Sequence, residues 1–173
     1  MKDTPQIKEN PTFTNIEKVK KDRMRFTKNR LPANLTLLAI LVNVFYFVSI
    51  YKSNVTSYYK PVIGISIVYN LMFMLACFLC SEGIKNYKKD YGVALIVIGA
   101  LQFLRIIYYP LKGHTTVAPS GGDKLVMETS QFIRVVIYLV TSGALLISAG
   151  IVGIVRSKTL EKYRMEIGEE KPS

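Results

Sequence analysis

Polar connectors divide the chain into four blocks nearly free of charge, over 31–51, 61–81, 92–110 and 132–155. Each is close to the roughly 20 residues that a helix needs to cross a hydrocarbon layer of ~30 Å. A soluble helical bundle would show a water-facing polar stripe opposite apolar positions at i, i+3 and i+4. Residues 35–50 read LTLLAILVNVFYFVSI, apolar on every face, and 93–101 and 135–147 read the same way. The pattern predicts an all-α membrane protein. Its domain at 31–155 is expected to be an antiparallel four-helix transmembrane bundle, with a basic segment at 1–30 and a tail at 156–173.

The connectors refine this picture. Residues 1–11 hold two prolines and little hydrophobicity, as an unstructured tail would. Thr14-Asn15-Ile16-Glu17 matches a capping box and predicts a helix start. After it, Ile16, Val19 and Phe26 recur among Lys18, Lys20, Lys21, Arg23, Arg25, Lys28 and Arg30, the pattern of a basic interfacial helix lying on anionic lipid. The 52–60 connector carries Tyr58 and Tyr59, suited to a headgroup region. The 111–131 connector is the long one. Its runs at 115–117 and 124–127 flank a Pro/Gly turn and predict a short hairpin. Beyond residue 155 the fourth helix is expected to continue briefly and then fray.

Charge sets the orientation. The net charge is +11, with 23 Lys and Arg. Nine lie in 1–30, three in 82–91 and five in 156–173, against two each in 52–60 and 111–131. This is the positive-inside asymmetry, and it predicts a multi-pass protein of the plasma (cytoplasmic) membrane with both termini in the cytoplasm. No nucleic-acid-binding motif accompanies the positive charge, so the bilayer is its expected partner. The first apolar block exceeds the length of a signal-peptide core and is expected to stay as an anchor.

Candidate chemistry is sparse. Each span has polar residues near its middle: Asn43, Asn70, Gln102, and the pair Thr141 and Ser142. They form a candidate mid-membrane belt, either interhelical hydrogen-bonding glue or the lining of a path. Arg105 and Arg134 fall near the ends of spans three and four. Charge there marks a candidate site for lipid or a partner, with Glu128 or Asp123 as alternative counter-ions. Gly99, Ala149 and Gly153 are candidate helix-packing residues, with Gly92, Gly143 and Gly150 close by. Cys77 and Cys80 form a C-x-x-C, but one pair within an apolar run fits buried hydrophobes better than a thiol relay. His114 is the only histidine, so no catalytic or metal constellation and no cofactor are expected.

The stretches KDRMRFTKNRLPANLTLLAI at 21–40, YFVSIYKS at 46–53, VYNLMFMLACFLCSEGIKNYK at 68–88 and SQFIRVVIYL at 130–139 resemble a set of small, uncharacterised bacterial four-span membrane proteins. Genes of that set lie beside the permease subunits of carbohydrate ABC importers. The resemblance covers roughly residues 21–165 and transfers no site residue. It implies a non-enzymatic accessory or assembly subunit, with other membrane subunits, an ABC permease among them, as partners. The alternative from the residues themselves is a small self-sufficient transporter or channel lined by the polar belt.

Overall fold

The structure is a computed structural model, and it describes residues 11–51, 60–115 and 127–168. Six α-helices follow in order among these residues: α1 (Pro11–Phe26), α2 (Arg30–Tyr51), α3 (Lys60–Lys85), α4 (Lys89–Ile106), α5 (Lys112–Thr115) and α6 (Thr129–Glu166). A π-helical turn, Ile107–Leu111, joins α4 to α5, and no strand occurs among the described residues. Three helices contain stretches long and apolar enough to cross a membrane: Arg30–Ile50, Gly64–Lys85 and, within a single 38-residue helix, Thr129–Glu166. The 18-residue α4 differs by its charge, because Lys89, Asp90 and Arg105 all lie within it.

The four long helices contact one another in a closed order. The α4–α6 and α2–α6 pairings are the most extensive, and α3 touches α2 and α4. The buried positions repeat at spacings of three and four. In α2 they are Thr36, Ala39, Asn43, Tyr46 and Ile50; in α3, Asn70, Phe73, Cys77, Cys80 and Ile84. In α4 they are Gly92, Leu95, Gly99, Gln102 and Arg105, and α6 follows with Val135, Leu139, Ser142, Leu146, Ala149 and Gly153. A period near 3.5 keeps one seam facing its neighbours along a left-handed packing. Large side chains such as Leu41, Phe45, Val48, Leu75, Val97 and Ile137 point outward instead. That is the reverse of a soluble bundle and suits a lipid surrounding.

The α4–α6 seam is closed by glycine. A methyl group on Gly150 would lie 2.6 Å from the Gly92 carbonyl oxygen, and one on Gly99 would lie 3.0 Å from that of Gly143. Gly92 and Gly99 are seven apart, as are Gly143 and Gly150, so the antiparallel helices meet at two matched crossings. Gly153 faces Ile84 of α3, where an added methyl would collide with that side chain. Ala149 is fully buried in the apolar cluster with Cys77, Leu95 and Leu146.

Several expected boundaries shift. The first helix already runs from Pro11, so Thr14 lies inside it rather than at its cap; proline is well placed in a first turn, where its missing N–H costs nothing. The third block, expected to be helical to residue 110, changes to a π turn after Ile106. Pro110 lies within that turn and supplies no N–H to an α-helical ladder. The fourth helix, expected to continue only briefly beyond residue 155, runs on for about three further turns to Glu166. In the long connector, Thr115 closes the short α5 rather than opening a strand. The turn of the expected hairpin, with Asp123, lies outside the described residues, as do Tyr58 and Tyr59.

Candidate functional site

The polar residues of α2, α3 and α4 converge because each sits on its helix's buried seam. Asn43 and Tyr46 are three apart on α2, Gln102 and Arg105 three apart on α4, and Ser66 and Asn70 four apart on α3. These spacings place each pair on one helix face. Gln102 Nε2 donates to Asn43 Oδ1 at 3.2 Å, a contact spanning 59 positions of sequence. Arg105 donates through Nη2 to Asn70 Oδ1 at 2.7 Å. Asn70 Nδ2 in turn donates to the Ser66 carbonyl at 2.9 Å, which fixes the amide with its oxygen toward the arginine.

Two aromatic rings complete the surroundings of the cation. The Arg105 guanidinium carbon lies 4.4 Å from the ring centroid of Tyr46 and 4.9 Å from that of Tyr69. Tyr46 is fully buried, whereas Tyr69 is 43% exposed and stands between the guanidinium and the bundle's exterior. Desolvated cation–π contacts are worth up to about 2 kcal/mol, and a hydrogen bond to a charged group about 1.5–3 kcal/mol. Together they offset much of the cost of keeping a 9%-exposed guanidinium away from water. Arg105 makes no ion pair with a carboxylate among the described residues. Asn43 Nδ2, Gln102 Oε1 and Arg105 Nη1 are buried here without a hydrogen bond.

The structure separates residues that the sequence grouped. Arg134 is exposed, with its Nε donating to the Ser130 carbonyl of its own helix at 3.3 Å. It is next in sequence to the buried Val135 but about 100° around the helix. Glu128, also exposed, caps no helix through its side chain and does not pair with Arg105. The expected joint contact of Arg105, Arg134 and Glu128 is therefore not assembled. Arg105 follows the buried seam of α4 inward; the other two face out.

The belt divides similarly. Ser142 is buried and donates to the Ala39 carbonyl at 3.2 Å, tying α6 to α2. Thr141, one position away, is exposed on the outer face. Sequence reasoning missed Tyr46 and Tyr69 as neighbours of the cation. The signal was present for Tyr46, which stands to Asn43 as Arg105 stands to Gln102.

Elsewhere the polar groups do local work. Cys77 and Cys80 are free thiols packed in the apolar cluster around Phe73 and Leu146. His114 stacks on Phe132 at 4.7 Å between ring centroids, with Nδ1 3.2 Å from the Met127 carbonyl oxygen. No group of His, Cys, Asp and Glu among the described residues could hold a metal ion. No protein-family model, curated protein or solved structure matches this chain.

Proposed function

We propose that this chain is a non-enzymatic, four-span membrane protein that acts as an accessory or assembly subunit of a larger membrane complex. The observation that carries this reading is the inward closure of the mid-span polar residues. Asn43, Asn70, Gln102 and Ser142 are each at most 1% exposed and are engaged with neighbouring helices or their own. Polar groups used to hold a bundle together leave its outward faces to recognise other membrane components. α4 serves as the remaining span on this view. Its charges are Lys89 and Asp90 at one end and Arg105, which is solvated by Asn70, Tyr46 and Tyr69. The basic segments at 1–30, 82–91 and 156–173 then share the cytoplasmic face. Cysteine-accessibility labelling in sealed vesicles tests that arrangement, and a terminus labelled from outside would overturn it.

The resemblance to proteins encoded beside carbohydrate ABC importers supplies the candidate complex. Affinity purification from native membranes in mild detergent, with partners identified by mass spectrometry, is the test. Stoichiometric recovery of a permease or its ATPase is the expected result; recovery of the protein alone as a defined oligomer would overturn the reading. Arg134, facing outward, is the cation left for such a contact, and Arg134→Ala should weaken co-purification without affecting insertion.

A second reading has its own support. Two open donors, Asn43 Nδ2 and Arg105 Nη1, and one open acceptor, Gln102 Oε1, lie in this cluster; a file of water would satisfy all of them and a small anion the two donors. Anion-driven flux into proteoliposomes, abolished by Arg105→Met, would support this transporter reading. Flux unchanged by that substitution would remove it.

A further inference from the structure

At the end of the bundle where α1 and α6 finish, the α1–α2 linker, the tight α3–α4 turn and the last turns of α6 enclose a cavity of about 640 Å³. Six cations line it, Arg25, Lys28, Lys85, Lys88, Lys89 and Arg164, against two carboxylates, Asp90 and Glu161. Arg25 pairs with Asp22 at 2.9 Å, Lys85 with Glu82, and Lys89 with Glu161 at 3.6 Å. Lys28, Lys88 and Arg164 have no carboxylate at ion-pair distance among the described residues. Positive charge is thus gathered from three separate segments around one concavity.

The wall also holds unmet hydrogen-bonding capacity. Ser157 is 5% exposed, and its Oγ is buried without a partner, as is Nε of Arg164. The surrounding backbone is fixed rather than open-ended. The Asn29 amide donates to the Lys85 carbonyl at 2.9 Å, and Arg156 donates to Asn29 Oδ1 at 3.1 Å. Tyr87, at φ 58°, turns the chain sharply so that Lys85, Lys88 and Lys89 bound the same space. Phe26, Leu160 and Met165 add apolar surface to the lining, and Phe26 and Met165 are exposed.

We propose that this cavity is a binding site for the phosphate headgroup of an anionic lipid. A basic hollow between membrane helices suits such a headgroup, and the volume lies in the range of small-ligand sites. The apolar residues on its rim favour a lipid over free phosphate, because they give the acyl chains a surface continuous with the headgroup site. Ser157 and Arg164 donate to the phosphate oxygens from the floor, while Lys28 and Lys88 neutralise its charge. The site rests on the reading of the long helices as membrane spans, but not on any protein partner.

The test uses the full chain in mild detergent, with lipid retention read by native mass spectrometry. Phosphatidylglycerol should be retained about tenfold more tightly than phosphatidylcholine, as a few cations near a phosphate provide. Lys28→Gln, Lys88→Gln and Arg164→Gln combined should remove most of that preference. The charge-conserving set Lys28→Arg, Lys88→Arg and Arg164→Lys should keep it, which separates lost recognition from lost folding. Ser157→Ala should weaken retention less. Equal retention of both lipids by the unaltered protein, or an unchanged preference in the glutamine variant, would overturn the site. Full displacement of the lipid by millimolar inorganic phosphate would overturn the lipid assignment in favour of a soluble phosphate ligand. Partner capture is read separately, so failure here leaves the accessory-subunit reading standing.

Discussion

The α4–α6 seam and the α2–α3–α4 polar cluster lie side by side and share helix α4, yet they hold their helices by opposite means. At the seam, Gly92 meets Gly150 and Gly99 meets Gly143, so backbones approach with no side chain between them. In the cluster, helices are linked through long polar side chains, Gln102 to Asn43 and Arg105 to Asn70. On the proposed four-span reading, lipid offers no hydrophobic drive for one apolar helix to prefer another, so association comes from close contact or from polar groups that hydrocarbon cannot satisfy. The seam takes the first route and leaves nothing unsatisfied at its glycine crossings. The cluster takes the second and leaves buried polar atoms open, among them Asn43 Nδ2, Gln102 Oε1 and Arg105 Nη1.

The comparison is broken most directly at the seam. Gly150→Leu puts a branched side chain where even a methyl would press on the Gly92 carbonyl and Ile96. We expect a loss of about 3 kcal/mol or more, the upper end for overpacked interiors, read as a fall in thermal-unfolding midpoint in detergent. Retained stability would mean that the two helices can move apart without penalty.

The cluster gives a smaller and more conditional effect. Asn70→Ala removes the hydrogen-bond acceptor of the Arg105 guanidinium and should cost about 2–3 kcal/mol. Arg105→Met keeps the volume without the charge and should cost less, about 1–2 kcal/mol, because it leaves a neutral amide oxygen, Asn70 Oδ1, rather than a charge without its partner. In the Arg105→Met background, Asn70→Ala should then lose most of its effect, a coupling measured by a double-mutant cycle. Additive effects would sever the two residues energetically despite their contact.

The smallest expected change sharpens the contrast. Gln102→Leu removes one interhelical hydrogen bond, and such bonds in membranes average roughly 0.6 kcal/mol. An effect several times larger, measured by the same unfolding assay, would make the Gln102–Asn43 pair a principal clamp rather than a minor tie.

The starts of α2 and α3 were legible in the sequence because charge marks them, at Arg30 and Lys60; the far ends of α3 and α6 were not, because a helix leaving an apolar block continues through charge, past Glu82 to Lys85 and past Arg156 to Glu166. Which face of each helix turns inward was harder to read. A hydrophobicity pattern cannot mark the interior when Leu, Val and Phe surround the whole helix, and here the buried seam is written mainly in small and polar residues. Ala39, Asn43, Gly99, Gln102, Ser142 and Gly153 keep the three-and-four spacing that hydrophobicity hides. Arg105 shows the consequence. Judged by depth alone, it is a charge near a helix end and free to reach out; judged by the 92–95–99–102–105 spacing, it belongs to the interior. Tyr69 was hidden for another reason: it stands outside the three-and-four spacing of α3, next to Asn70, and only the packing of α3 against α4 brings its ring onto the Arg105 guanidinium.

The length of α6 has a mechanical consequence. At 1.5 Å per residue, its 38 residues form one rod of about 57 Å, nearly twice the thickness of a hydrocarbon layer. Val135 and Leu139 near one end pack with Tyr46, while Ser157, Leu160 and Arg164 near the other line the basic cavity. A single stiff lever therefore runs from the neighbourhood of the buried arginine to the charged hollow, and a tilt imposed at either end displaces the other.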